Sequence, residues 1–91
     1  NKIIIAYEPI WSIGTGKIPR VQELINTFKF IKNEFKKNIK TKTFPVVLYG
    51  GSVNDSNIGL FSSISEIDGF LIGGASKSSK KFIDIIKNYY K

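Results

Sequence analysis

Apolar residues follow two textures along the chain. Three short runs are densely apolar: KIIIAY (residues 2–7), FPVVLY (44–49) and IDGFLI (67–72). Unbroken runs of this kind predict strands covered on both faces of a parallel sheet, not strands with one wet face. Between them the spacing becomes helical. Val21, Leu24, Ile25, Phe28, Ile31 and Phe35 fall on one helix face, and Lys29, Lys32, Glu34 and Lys36 fill the remainder. Pro19 stands where that helix can begin, because its missing N–H is not needed in a first turn. Residues 54–64 read as a short helix capped by Asn54 or Asp55. Residues 78–90 read as a last helix with Phe82, Ile85, Ile86 and Tyr89 inward; Phe28, Phe35, Phe82 and Tyr89 are expected in the core. Strand and helix alternate three times without a linker, which predicts an α/β fold with parallel strands.

Each apolar run is followed by glycines and small polar residues: Gly14-Thr15-Gly16, Gly50-Gly51-Ser52 and Gly73-Gly74-Ala75-Ser76. Three such loops belong together at the carboxyl edge of the sheet, where α/β proteins bind ligands. One pair of glycines is enough for a tight turn. All three together favour a phosphate-sized anion, approached by backbone N–H groups. Glu8 ends the first run, directly before Pro9. A lone carboxylate at a strand end usually caps a helix or pairs with a lysine. Carried on a rigid strand end beside converging glycine loops, it is also placed to act as a general base on an anionic substrate once water is excluded. Pro9, Ile10 and Trp11 stiffen one end of the loop that follows, and Gly14-Thr15-Gly16 keeps its tip small, as in a lid.

Composition narrows the chemistry. The 91 residues contain no cysteine and no histidine, which removes disulfides, thiolate zinc sites and the commonest general base. No acid cluster has metal-site spacing, and no cofactor is expected. The net charge of +7 invites a nucleic-acid partner. The lysines, however, lie mostly in residues 29–42 and 77–91, interleaved with apolar residues as on solvated helix faces, so neither nucleic acid nor membrane is expected as partner. No apolar run is long enough for a bilayer and no secretory leader is visible, making the cytoplasm the default expectation. GTGK fails as a phosphate-binding P-loop, with Trp11 and Ile18 at positions that need glycine and Ser or Thr. A dinucleotide fingerprint fails at Pro19. Asp68, beside Gly69, reads as a structural hydrogen-bonding acid.

AYEPIWSIGTGK (residues 6–17), YGGSV (49–53) and DGFLIGGAS (68–76), in this order, resemble triosephosphate isomerase, over about residues 3–86. The resemblance implies the last three strand–helix units of a (β/α)8 barrel, a single domain of which residues 1–91 would be an incomplete C-terminal part. It implies interconversion of dihydroxyacetone phosphate and glyceraldehyde 3-phosphate, in glycolysis and gluconeogenesis, with Glu8 as the proton-transferring base. Backbone N–H groups of Gly14, Ser52, Gly73 and Gly74 would hold the substrate phosphate. Pro9, Ile10, Trp11, Ser12, Ile13, Thr15, Gly16 and Lys17 would belong with Gly14 to the lid, latched by Tyr49 and Ser52. In the family the intact enzyme is a homodimer, and its electrophilic histidine and substrate-binding lysine come from earlier units. A chain that opens on a strand at Asn1, without methionine, is therefore expected to be part of something longer, inactive by itself. The alternative expectation is an inactive truncated fragment that keeps only a phosphate-binding module. Two residues depart from the pattern. Ser12 replaces the usual alanine, and Pro19 falls near a lid N–H that commonly meets the latch tyrosine, a bond proline cannot make.

Overall fold

A computed structural model describes residues 3–40 and 42–91. Strand β1 (Ile4–Tyr7) leads through a 3-10 turn (Ile10–Ser12) to helix α1 (Val21–Ile39). Strand β2 (Val46–Tyr49), helix α2 (Ile58–Ser62), strand β3 (Gly69–Phe70) and helix α3 (Ser79–Tyr89) follow, with a second 3-10 turn (Gly74–Lys77) before α3. The strands form one parallel sheet in the order β1-β2-β3, with Tyr7 opposite Tyr49 and Tyr49 opposite Phe70. The α/β class read from the alternation is the one observed.

The core lies on one face of the sheet. Val47 and Tyr49 of β2 are buried against Leu24 and Phe28 of α1, Ile58 and Phe61 of α2, and Ile85 of α3. The opposite face is open: Ile4 is 64% exposed and Val46 46% exposed. Coverage on both faces, expected from the unbroken apolar runs, therefore does not hold within this chain. The helices pack on one side only, so Ile4 and Val46 have no helix to lie against. Helix α3 shows the same economy. Ile85 is buried, whereas Phe82, Ile86 and Tyr89, all expected inward, are more than a third exposed, Ile86 and Tyr89 beside an open apolar groove that they share with Phe70 and Tyr90. Phe28 is buried as expected, and Phe35 only partly.

Element ends shift for local reasons. Pro19 precedes the N-cap of α1, Arg20, and does not occupy its first turn. Helix α2 is shorter than residues 54–64, because the Asn54 carboxamide accepts the N–H groups of Ser56 and Asn57 and winds a turn there; Asn57 takes the cap position. At its other end, Ser62 and Ser63 hydroxyls donate back to the carbonyls of Gly59 and Leu60. Ser78 caps α3 by accepting the Lys81 N–H. Of the predicted residues 67–72 only Gly69 and Phe70 count as strand, although the Asp68 and Leu71 N–H groups carry the ladder on to Val47 and Tyr49 carbonyls at 3.0 and 2.9 Å. The first two strands also begin later than expected, at Ile4 and Val46; Lys2 lies outside the described residues. Asp68 is structural, as anticipated. Its Oδ2 accepts the Val47 N–H at 2.9 Å and lies 3.0 Å from Lys32 Nζ, tying α1 to the sheet.

Candidate active site

The three strands end at one edge, and the loops that leave them enclose a cleft of about 770 Å³. Glu8 leaves β1 into this cleft, Gly50 to Ser52 leave β2, and Leu71 to Gly74 leave β3. Glu8 is exposed, and its carboxylate has no hydrogen-bond or ion-pair partner among the described residues. It neither caps a helix nor pairs with a lysine. Its stem lies over Gly50, where an added Cβ would stand 2.8 Å from Glu8 Cγ. The missing side chain of Gly50 is thus what allows the acid its place.

Pro9 is buried at the foot of the loop over residues 10–17, and its carbonyl accepts the Ser12 N–H at 2.8 Å. Ile10, Trp11 and Ile13 are exposed on the loop, Ile13 toward the cleft. Gly14 and Gly16 sit at φ of 70° and 78°, a region that side chains disfavour, so glycine is the residue that makes this turn. The Thr15 hydroxyl braces it from within, 2.8 Å from the Trp11 carbonyl and accepting the Lys17 N–H at 3.1 Å. Two further groups tie the loop to the chain after β2. Ser52 Oγ accepts the Gly16 N–H at 3.0 Å and donates to the Ser12 carbonyl. Tyr49 Oη lies 3.1 Å from Ser12 Oγ, which donates to the Lys17 carbonyl at 2.6 Å and accepts the Ser52 N–H at 3.1 Å. Ser12, noted from sequence as a departure from the usual alanine, is fully buried beneath the loop.

The glycines divide by purpose. Gly14, Gly73 and Gly74 line the cleft with open space where a Cβ would be, and their N–H groups have no partner among the described residues. Gly51 is packed: a Cβ there would overlap the Tyr49 hydroxyl and come within 2.5 Å of Ser12 Oγ. The sequence reading gave both glycine pairs to an anion; the second pair lines the cleft, whereas the first makes room for side chains. The Ser52 N–H, also expected to face the anion, is occupied by Ser12 Oγ. Lys80, Lys81 and Asp84 line the rim, unforeseen because the lysines of residues 77–91 read as a solvated helix face. Their place in the first turns after Gly73-Gly74 was the available signal. Asp84, hydrogen-bonded to Lys80 at 2.9 Å, raises the lysine's pKa and keeps it charged.

Burial pushes the Tyr49 hydroxyl above its ordinary 10.0. Below that pH the hydroxyl is protonated in folded and unfolded chain alike. Above it the unfolded chain sheds its proton first, so stability falls as pH rises through and beyond 10.0. Thermal midpoints measured from about pH 8 to about pH 11 should decline more steeply for the chain than for Tyr49→Phe, which has no proton to lose.

A sequence model of the family described as triosephosphate isomerase matches residues 1–89. The triosephosphate isomerase of Dictyostelium discoideum is 46% identical over 92 residues, covering 97% of this chain and 35% of that protein. That of Mycoplasma mobile is 49% identical over 87 residues, covering 96% and 34%. Among solved structures, triosephosphate isomerase from Bartonella henselae aligns with a TM-score of 0.80 at 32% identity, over 97% of this chain and 35% of that one. The chain spans about a third of the length of these relatives. Its three parallel strand–helix units match part of a barrel protein, and the family's sequence pattern runs through nearly all of its residues. The chain belongs to the triosephosphate isomerase family.

Proposed function

We propose that this chain supplies the C-terminal strand–helix units of a triosephosphate isomerase barrel, including its base and most of its phosphate cradle. The observation that carries this reading is the unpartnered Glu8 carboxylate, set in the same cleft as the free N–H groups of Gly14, Gly73 and Gly74. Glu8 takes a proton from one carbon of the triose phosphate and returns it to the neighbouring carbon, and with a hydroxyl proton passing from one oxygen to the other, ketone and aldehyde are exchanged. The amides bind the phosphate by pointing N–H dipoles at an anion without a side chain between. Lys80 and Lys81 add positive charge at the rim. The loop over residues 10–17 keeps water from the carboxylate, which strengthens it as a base.

Polarising the carbonyl is left to groups outside this chain, which has no histidine. The open sheet face bearing Ile4, Val46 and Leu71 is where the remainder of the barrel would pack. General base catalysis alone is worth about 10²–10⁴-fold, so the 91-residue chain should show no measurable turnover. A chimera in which residues 1–91 replace the matching third of the Dictyostelium relative should interconvert the two trioses. A folded chimera without activity, or an isolated chain with full activity, would overturn the reading.

A further inference from the structure

Ser12 is the buried polar residue of the described chain, and its hydroxyl is filled to capacity. A serine hydroxyl has one proton and two lone pairs. The Lys17 carbonyl can only accept, so at 2.6 Å it takes the proton. The lone pairs are then left for the Ser52 N–H and the Tyr49 hydroxyl, both at 3.1 Å. Tyr49 is therefore the donor in its bond to Ser12. One atom thus joins the far end of the loop, the end of β2 and the residue three places beyond it. Gly51 leaves the room these hydroxyls need. Pro19, near the place where a lid N–H commonly meets the latch tyrosine, has no N–H to offer.

We infer that the Ser12 hydroxyl is the positioning group that holds the glycine loop against the end of β2, over the Glu8 cleft. The inference rests on the reading of that cleft as the isomerase site, yet the loop's attachment can be measured without activity. Ser52 Oγ forms a separate tether that uses only backbone groups of the loop, the Gly16 N–H and the Ser12 carbonyl. Ser12→Ala leaves that tether chemically intact. If Ser12 is the hub, the remaining tether will not hold the loop by itself.

The test is amide hydrogen exchange in the 91-residue chain, comparing Gly16 with Val47, whose N–H is bonded to Asp68 away from the loop. Ser12→Ala should speed exchange at Gly16 about tenfold, as expected for losing bonds to buried groups, while Val47 keeps its protection. Fluorescence of Trp11, the chain's one tryptophan, should become easier to quench with acrylamide in the same variant. Unchanged exchange at Gly16 would overturn the inference, because Ser52 would then suffice. So would equal acceleration at Gly16 and Val47, which is the signature of a general packing role. If Ser12→Ala does not fold, Tyr49→Phe decides by the same two readings, since it removes one bond of the hub and keeps the ring. Where both variants fold, their effects at Gly16 should fall short of additive, because they share one bond. Strict additivity would also count against the hub.

Discussion

Glu8→Asp, placed in the chimera with the Dictyostelium relative, is expected to lower kcat by roughly 10²-fold and to leave KM nearly unchanged. The substitution keeps the charge and withdraws the carboxylate by one methylene, on the order of an ångström. Proton abstraction is steep in such displacements, since reacting atoms must sit about 3–3.5 Å apart. Under the proposed function phosphate binding is not, because it is assigned to Gly14, Gly73 and Gly74 and not to the carboxylate. The stem lies over Gly50. Steady-state kinetics separate the two quantities. A rise in KM with kcat intact would make Glu8 a binding residue and leave the base unassigned.

Gly51→Ala should be the most damaging single methyl in the chain. The new Cβ would overlap the Tyr49 hydroxyl and stand 2.5 Å from Ser12 Oγ. Neither neighbour can swing aside, because Tyr49 and Ser12 are both fully buried. Overpacking of this kind costs about 1–3 kcal/mol, and displacing the hydroxyls forfeits their hydrogen bonds as well. A loss of about 2 kcal/mol lowers the melting temperature of a domain this size by roughly 8–16 °C. Gly74→Ala is the control, since a Cβ there meets nothing within 4 Å. Equal melting temperatures for the two variants would mean that the space around Gly51 is not closed.

The parallel arrangement and the gathering of glycine loops at one edge were legible in the residues. Each depends on short-range patterns: apolar runs for strands, helical spacing for α1, and glycines at the ends of both. The local chemistry of Asn54 was less legible, because its carboxamide competes with the helix it was expected to cap. The exposed Phe82, Ile86 and Tyr89 misled for a different reason. A helical stripe reports that a face is apolar, and it says nothing of how much partner surface lies opposite.

Sequence by itself determined the α/β alternation, the acid at the end of β1 and the family to which three motifs point. Tertiary structure decided that Glu8 stands unpartnered in the cleft, which glycines face the cleft and which make room, and where Ser12 lies. Ser12 is 37 residues from Tyr49 and 40 from Ser52 along the chain. No periodicity spans such distances. Only the pairing of β1 with β2, which sets Tyr7 opposite Tyr49, brings the loop after one strand onto the end of the next and turns a small polar residue into a buried acceptor.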